Sequence, residues 1–253
     1  LQAKELKPVQ VADTTNTLSV VPGTNQLRLS GVFSNDMVIQ REKPVAVCGI
    51  AQPQQRVTVQ LYKQTKSVTA DNNGNWKVVL KPLPVGGPYE MAVSTTQDSV
   101  KLKNILSGDV WFCSGQSNME FQLQYEQNAE KEIPASTNPN IRMLRIPHNV
   151  STIESNKEFG STYWIPCNPS SSKLFSAVGY YFGKKIQTET NVPIGLIGSY
   201  WGGSAVESWM SKEALQAFKV FEPQLGELSS GKLTIQQLKA RFDAETNRRL
   251  AVI

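Results

Sequence analysis

The stretch Gly108–Met119, GDVWFCSGQSNM, constrains the fold more than any other part of the chain. DVWFC reads as a buried strand, SGQSN follows at once as a small-residue turn, and a helical stretch begins with Met119, Leu123 and Gln127 on one face. Two further apolar runs, IRMLRI (141–146) and VPIGLIGSY (192–200), read as strands. Between them a helix is expected over 173–188, where Leu174, Val178, Tyr181, Phe182 and Ile186 recur at helical steps and Ser171 or Ser172 would cap. Strand–helix–strand–helix–strand implies parallel α/β winding with helices on both faces. Open sheets usually hold about four to six strands, so three visible strands predict a sheet unfinished at Ile253.

Upstream, residues 26–106 have a different grammar. PVAVCGI, RVTVQLY, KSVTA, NWKVVL, YEMAVS and SVKLKNIL are short β-rich runs separated by turn residues. Asp71-Asn72-Asn73-Gly74 is expected to close a hairpin and Pro84–Pro88 another reversal. The spacing suggests a small antiparallel β-sandwich domain. Residues 1–25 read as a tail or linker, with an edge strand as the alternative. Residues 107–211 read as the α/β unit, and 212–253 as a peripheral helical insertion with Gly231 between two helical runs.

Composition removes several function classes. The net charge of +5 is spread along the chain rather than clustered, which argues against a nucleic-acid partner. No run of 18 apolar residues predicts a membrane span. The three cysteines, Cys48, Cys113 and Cys167, stand far apart without a CxxC pair, so neither a zinc site nor a disulfide framework is expected. Residue 1 is Leu, consistent with numbering that starts after a removed targeting segment or at an arbitrary boundary.

Ser117 sits where a strand has ended and a helix begins. In open α/β sheets ligands bind at the carboxyl ends of strands. Free N–H groups there favour an alkoxide or oxyanion. The same position suits an ordinary helix cap, for Ser117 as for Ser114. Gly198-Ser199-Tyr200-Trp201-Gly202-Gly203-Ser204 follows the third strand and falls at the same end of the sheet. Its glycine pair can present N–H groups or simply pack closely. A nucleophilic serine needs a base. His148, the single histidine, follows the second strand, although a lone histidine is more often a surface or packing residue. The missing strands are the other source of a base.

GDVWFCSGQSNME, with GLIGSYWGGSAVESWMS downstream, resembles the sialate O-acetylesterase family within the SGNH-type hydrolases. LSGVFSNDMVIQREKPVAVCGIA and DNNGNWKVVLKPLPVGGPYE are similar to the β-domain that precedes the catalytic domain in that family. The resemblance spans about residues 26–211. It implies an N-terminal antiparallel β-sandwich followed by a flavodoxin-like three-layer α/β/α domain, incomplete here at the C-terminus. It assigns the nucleophile to Ser117. It draws the oxyanion hole from the Ser117 N–H, Gly202, Gly203 and Gln116, with the Asn118 side chain as a further candidate. Asn118 and Trp201 become substrate-binding candidates. The family's base lies in an Asp-x-x-His block that this sequence does not contain, so the resemblance implies a partner in the remaining C-terminal part of the enzyme.

The implied activity is removal of O-acetyl groups from carbohydrate, foremost O-acetylated sialic acid, without metal or organic cofactor, in a secreted or periplasmic setting. Acetylated xylan is the alternative substrate. Asp109 and Glu120 are expected to be structural. Glu207 can hydrogen-bond under the glycine loop. Trp111, Tyr200, Trp201 and Trp209 suit either sugar stacking or packing. Two other readings compete: a non-catalytic glycan-binding protein on the same scaffold, and an interaction subunit whose sheet a second chain completes.

Overall fold

The computed structural model describes residues 27–149, 162–232 and 234–250. The expected tail over 1–25 lies outside the described residues. Eight strands come first: β1 (Arg28–Leu29), β2 (Val38–Gln40), β3 (Val45–Ile50), β4 (Arg56–Leu61), β5 (Gln64–Thr69), β6 (Asn75–Leu80), β7 (Gly86–Ser94) and β8 (Ser99–Gly115). Alternation explains which face each buries. In β6, Trp76, Val78 and Leu80 point inward while Asn75, Lys77 and Val79 are exposed.

β1, β3 and β6 form a three-stranded antiparallel sheet. β5, β4, β7 and the first half of β8 form a second antiparallel array. Val47, Trp76, Val78 and Leu80 from the first share one hydrophobic cluster with Val57, Val59, Leu61, Met91 and Val93 from the second. The Asp71–Gly74 turn forms, its Asp71 Oδ1 accepting the N–H groups of Asn73 and Asn75, each at 2.8 Å. It does not close a hairpin. β5 pairs with β4, and β6 pairs with β3, so the turn carries the chain from one sheet to the other. Local residues dictate the reversal; the side on which each strand buries its apolar face dictates the partner.

β8 is 17 residues long and runs unbroken through Gly108. Up to Ser107 it pairs antiparallel with β7; from Asp109 to Gly115 it pairs parallel with β11 (Ile194–Tyr200). The change of sequence grammar at Gly108 is therefore a change of partner along one strand. Gly108 fits because a Cβ there would stand 1.9 Å from the Pro193 carbonyl oxygen.

The parallel strands lie in the order β9 (Asn138–Arg145), β11, β8, with β10 (Ile165–Cys167) antiparallel on the outside of β9. The segment after β8 is less helical than its pattern predicts. α1 (Ser117–Glu120) gives way to a 3-10 turn at Leu123–Tyr125 and then α2 (Ala129–Glu132). α3 (Pro169–Lys173) has Asn168 as its cap. The long helix α4 (Ala177–Thr190) starts later than expected, capped by Ser176 rather than Ser171 or Ser172.

Its buried positions also differ from the expected stripe. Ala177, Gly179, Tyr180, Gly183 and Gln187 face inward, while Leu174, Val178 and Phe182 are exposed. The helix presents small residues because it lies close on the sheet: a Cβ on Gly183 would come within 2.8 Å of Leu196. Cys113, Ile141, Met143, Ile194 and Leu196 form that sheet face. The opposite face was expected to carry helices too. Among the described residues it instead packs Val110, Leu144 and Ile197 into the β-strand cluster, with Trp164. α5 (Lys212–Gln216), α6 (Glu222–Ser229) and α7 (Ile235–Leu250) complete the chain, and neither α5 nor α6 buries a residue.

Candidate active site

The parallel register of β8 and β11 builds the site. Tyr200 pairs with Gly115 where both strands end, and the Trp201 N–H extends the ladder by donating to the Gly115 carbonyl at 3.0 Å. The loop after β8 and the glycine loop after β11 must therefore leave the sheet side by side. Ser117 is exposed at the first position of α1. A Cβ built on Gly202 would stand 3.6 Å from the Ser117 Cα and 3.7 Å from its Cβ. The two motifs, far apart in sequence, are in contact.

The cap reading of these serines does not hold. Gln116 is the N-cap, and it caps with its backbone carbonyl, which accepts from the Met119 and Glu120 N–H groups at 3.0 Å. Ser114 lies inside β8.

Glu120, expected to be structural, joins the two loops. One turn after Ser117, it projects from the same face of α1. Its Oε2 accepts the Gly202 N–H at 2.5 Å. Its Oε1 lies 3.2 Å from Arg145 Nη2 and 3.2 Å from His148 Nε2. The Gly202 N–H, an expected oxyanion donor, is thus already engaged by a carboxylate. Among the described residues the N–H groups of Ser117 and Gly203 make no hydrogen bond, and Gly203 is exposed with φ +78. Gln116 and Asn118 are exposed beside Ser117.

His148 is held on three sides. Its ring stacks on Trp201 with centroids 4.2 Å apart and planes 6° from parallel. Its Nε2 lies 2.9 Å from the Tyr200 carbonyl. Among the described residues no hydrogen bond links His148 to Ser117, and the Ser117 hydroxyl has no base against it. His148 is packed against Trp201 and bonded to the Tyr200 carbonyl and the Glu120 carboxylate.

The other candidates divide. Asp109 pairs with Arg41 (Nε–Oδ1 2.7 Å) away from the serine, in keeping with a structural role. Glu207 makes no bond under the glycine loop among the described residues; Glu120 fills that place. Trp111 packs edge-on against Phe182 on the helix side, and the Tyr200 ring is buried beside Phe175. Trp201 and Trp209 line a cleft of about 670 Å³ together with His148, Asn149, Ser204 and Leu228. Ser204 ties the two tryptophans together, donating to the Trp201 carbonyl at 2.6 Å and accepting from Trp209 Nε1 at 2.8 Å. Among the described residues no cluster of three or more His, Cys, Asp or Glu side chains is placed to hold a metal ion. No helix there is long and apolar enough to cross a membrane.

Residues 107–227 match the family model described as carbohydrate esterase, sialic acid-specific acetylesterase. Human sialate O-acetylesterase is 33% identical over 230 residues, covering 82% of this chain and 43% of that protein. The mouse sialate O-acetylesterase is 34% identical over 212 residues, 75% of this chain and 38% of that protein. The crystal structure of a carbohydrate acetylesterase from Xanthomonas citri superposes with a TM-score of 0.73 at 33% identity, covering 75% of this chain and 43% of that one. The chain spans less than half the length of these relatives.

Proposed function

From the chain's relationship to the sialate O-acetylesterase family, we propose that it carries the nucleophile-bearing part of a serine esterase that removes O-acetyl groups from carbohydrate. The observation that carries this reading is the contact between Ser117 and the glycine loop at the carboxyl ends of β8 and β11. Ser117 attacks the acetyl carbonyl, and its proton passes to a base. The developing oxyanion is held by the N–H groups of Ser117 and Gly203, with the Gln116 or Asn118 side chain as a third donor. The sugar leaves, and water releases acetate from Ser117. The sugar ring lies against Trp201 and Trp209 in the neighbouring cleft.

The base in this reading is a histidine, oriented by an aspartate, in the portion of the relatives' length that this chain does not span. The sheet supports such a division. Beyond Gly108 the side of β8 away from β11 has no strand partner among the described residues, and Phe112 on that edge is 64% exposed. We read residues 26–106 as a β-sandwich domain, 107–211 as the first half of the hydrolase domain, and 212–253 as an inserted helical segment. O-acetylated sialic acid is the favoured substrate because the relatives are sialate O-acetylesterases; acetylated xylan is the alternative. A carbohydrate substrate goes with a secreted or periplasmic location.

The test measures acetate release from O-acetylated sialic acid and from acetylated xylo-oligosaccharide by this chain joined to the portion of the relatives' length that it does not span, as wild type and as Ser117→Ala. The reading expects turnover that falls at least about 10³-fold in the variant while glycan affinity stays. Glycan binding without turnover in the wild type would transfer the scaffold to the non-catalytic reading.

A further inference from the structure

We propose that Glu120 is the positioning residue of this site, its carboxylate setting where the glycine-loop amides stand relative to Ser117. The inference rests on the esterase reading above. Glu120 acts through the loop it holds. Its two oxygens have separate partners. Oε2 takes the Gly202 N–H at 2.5 Å, a short charge-assisted bond. Oε1 faces the Arg145 guanidinium and His148 Nε2, each at 3.2 Å. One carboxylate thus joins the helix that begins with Ser117, the end of β9, the turn after β9 and the loop after β11.

Two further observations tie this to the chemistry. Gly202 is the residue in contact with Ser117, so moving its peptide moves the wall of the reaction site. By engaging the Gly202 N–H, Glu120 also fixes the Trp201–Gly202 peptide unit, one residue before the Gly203 N–H, which is the unengaged donor. Oxyanion donors stabilise a transition state only when held within a few tenths of an ångström of the developing charge. Glu120 supplies that hold from beneath the loop, with Arg145 as counter-charge and His148, clamped on Trp201, as the side wall.

The test compares Glu120→Ala and Glu120→Gln by two readouts, in this chain joined to the portion of the relatives' length that carries the base. The first is the backbone amide proton of Gly202 in ¹H–¹⁵N spectra. The second is kcat and KM for acetate release from the substrate that the wild type turns over. Glutamine keeps an oxygen for the Gly202 N–H but turns its amide donors toward Arg145 and His148. The Gly202 proton is expected downfield in the wild type and in Glu120→Gln, and shifted upfield in Glu120→Ala. For Glu120→Ala, kcat is expected to fall about 10²-fold with KM within about threefold; Glu120→Gln should lose less than about tenfold.

An unmoved Gly202 proton in Glu120→Ala overturns the proposal. So does a moved proton with unchanged kcat. If Glu120→Ala does not fold, Glu120→Asp, one methylene short, takes its place with the same expectations. A wild type that releases no acetate defeats the esterase reading instead, and the Gly202 proton then decides alone whether Glu120 holds the loop.

Discussion

Tyr200 stands directly across from Gly115 on the last rung of the parallel ladder between β11 and β8. That single pairing makes neighbours of two loops 82 residues apart at their Glu120–Gly202 bond. A shift of one residue in this register would turn every side chain of β11 to the other face, and Ser117 would lose the glycine loop beside it.

The contact leaves little room at Gly202. A Cβ there would lie 2.9 Å from Glu120 Oε2 but at ordinary distance from Ser117. Gly202→Ala is expected to push the carboxylate aside and lower kcat about tenfold, which is ~1.4 kcal/mol of barrier, at a cost of under about 1 kcal/mol in stability. Steady-state kinetics and a urea melt on the same preparation check both. Unchanged kcat would mean that the loop absorbs the methyl without moving the donors.

Behind the site, Arg142 on β9 is 3% exposed and pairs with Asp36 Oδ1 at 2.9 Å. Its Nη2 also reaches Asn104 at 3.4 Å, while its Nε has no partner among the described residues. Burial pulls the Arg142 pKa down and Asp36 pulls it back. Removing the anion alone strands a buried cation, so Asp36→Ala should cost about 3–5 kcal/mol, and adding Arg142→Met should restore most of the loss. Urea unfolding of the two variants measures this. A cost below about 1 kcal/mol for Asp36→Ala would show that water reaches the guanidinium.

Cys167 is 1% exposed and donates its thiol to the Ser136 carbonyl at 3.0 Å. Burial, only partly countered by Lys184, pushes its pKa from the ordinary 9.0 up to about 12. Between those values the unfolded thiol has lost its proton and the folded one has kept it. Stability therefore falls as pH rises from about 9 to about 12, by up to about 4 kcal/mol from this group. Tyr181, also raised to about 12, adds a slope of the same sign, so the difference between wild type and Cys167→Ala isolates the thiol. Urea midpoints at pH 8, 10 and 11 should converge for the two proteins as pH rises. Parallel slopes would show that the thiol does not titrate with unfolding.

The amino-acid order determined what depends on near neighbours. Short β-rich runs bounded by turn residues placed the strands from PVAVCGI to SVKLKNIL, because β-branched and aromatic side chains suit a strand and Gly, Pro, Asn and Asp suit the reversals between them. The Asp71–Gly74 reversal was legible because Asp71 closes it with its own side chain. The GQSN and WGGS motifs were legible as a pair because each follows an apolar run, and both runs became parallel strands. The tertiary structure decided what depends on partners. It sent the Asp71–Gly74 turn between sheets, and it ran β8 through Gly108 from one sheet partner to another. It turned Ala177, Gly179, Tyr180 and Gly183 of α4 inward and left Val178 and Phe182 outside, the glycines giving the helix room to lie close on the sheet. It also took Glu120, on sequence an ordinary first-turn acid, and set it against Gly202, Arg145 and His148. A carboxylate's role is set by which donors the fold brings within about 3 Å of it, and strand register supplied those donors from positions that no local pattern connects.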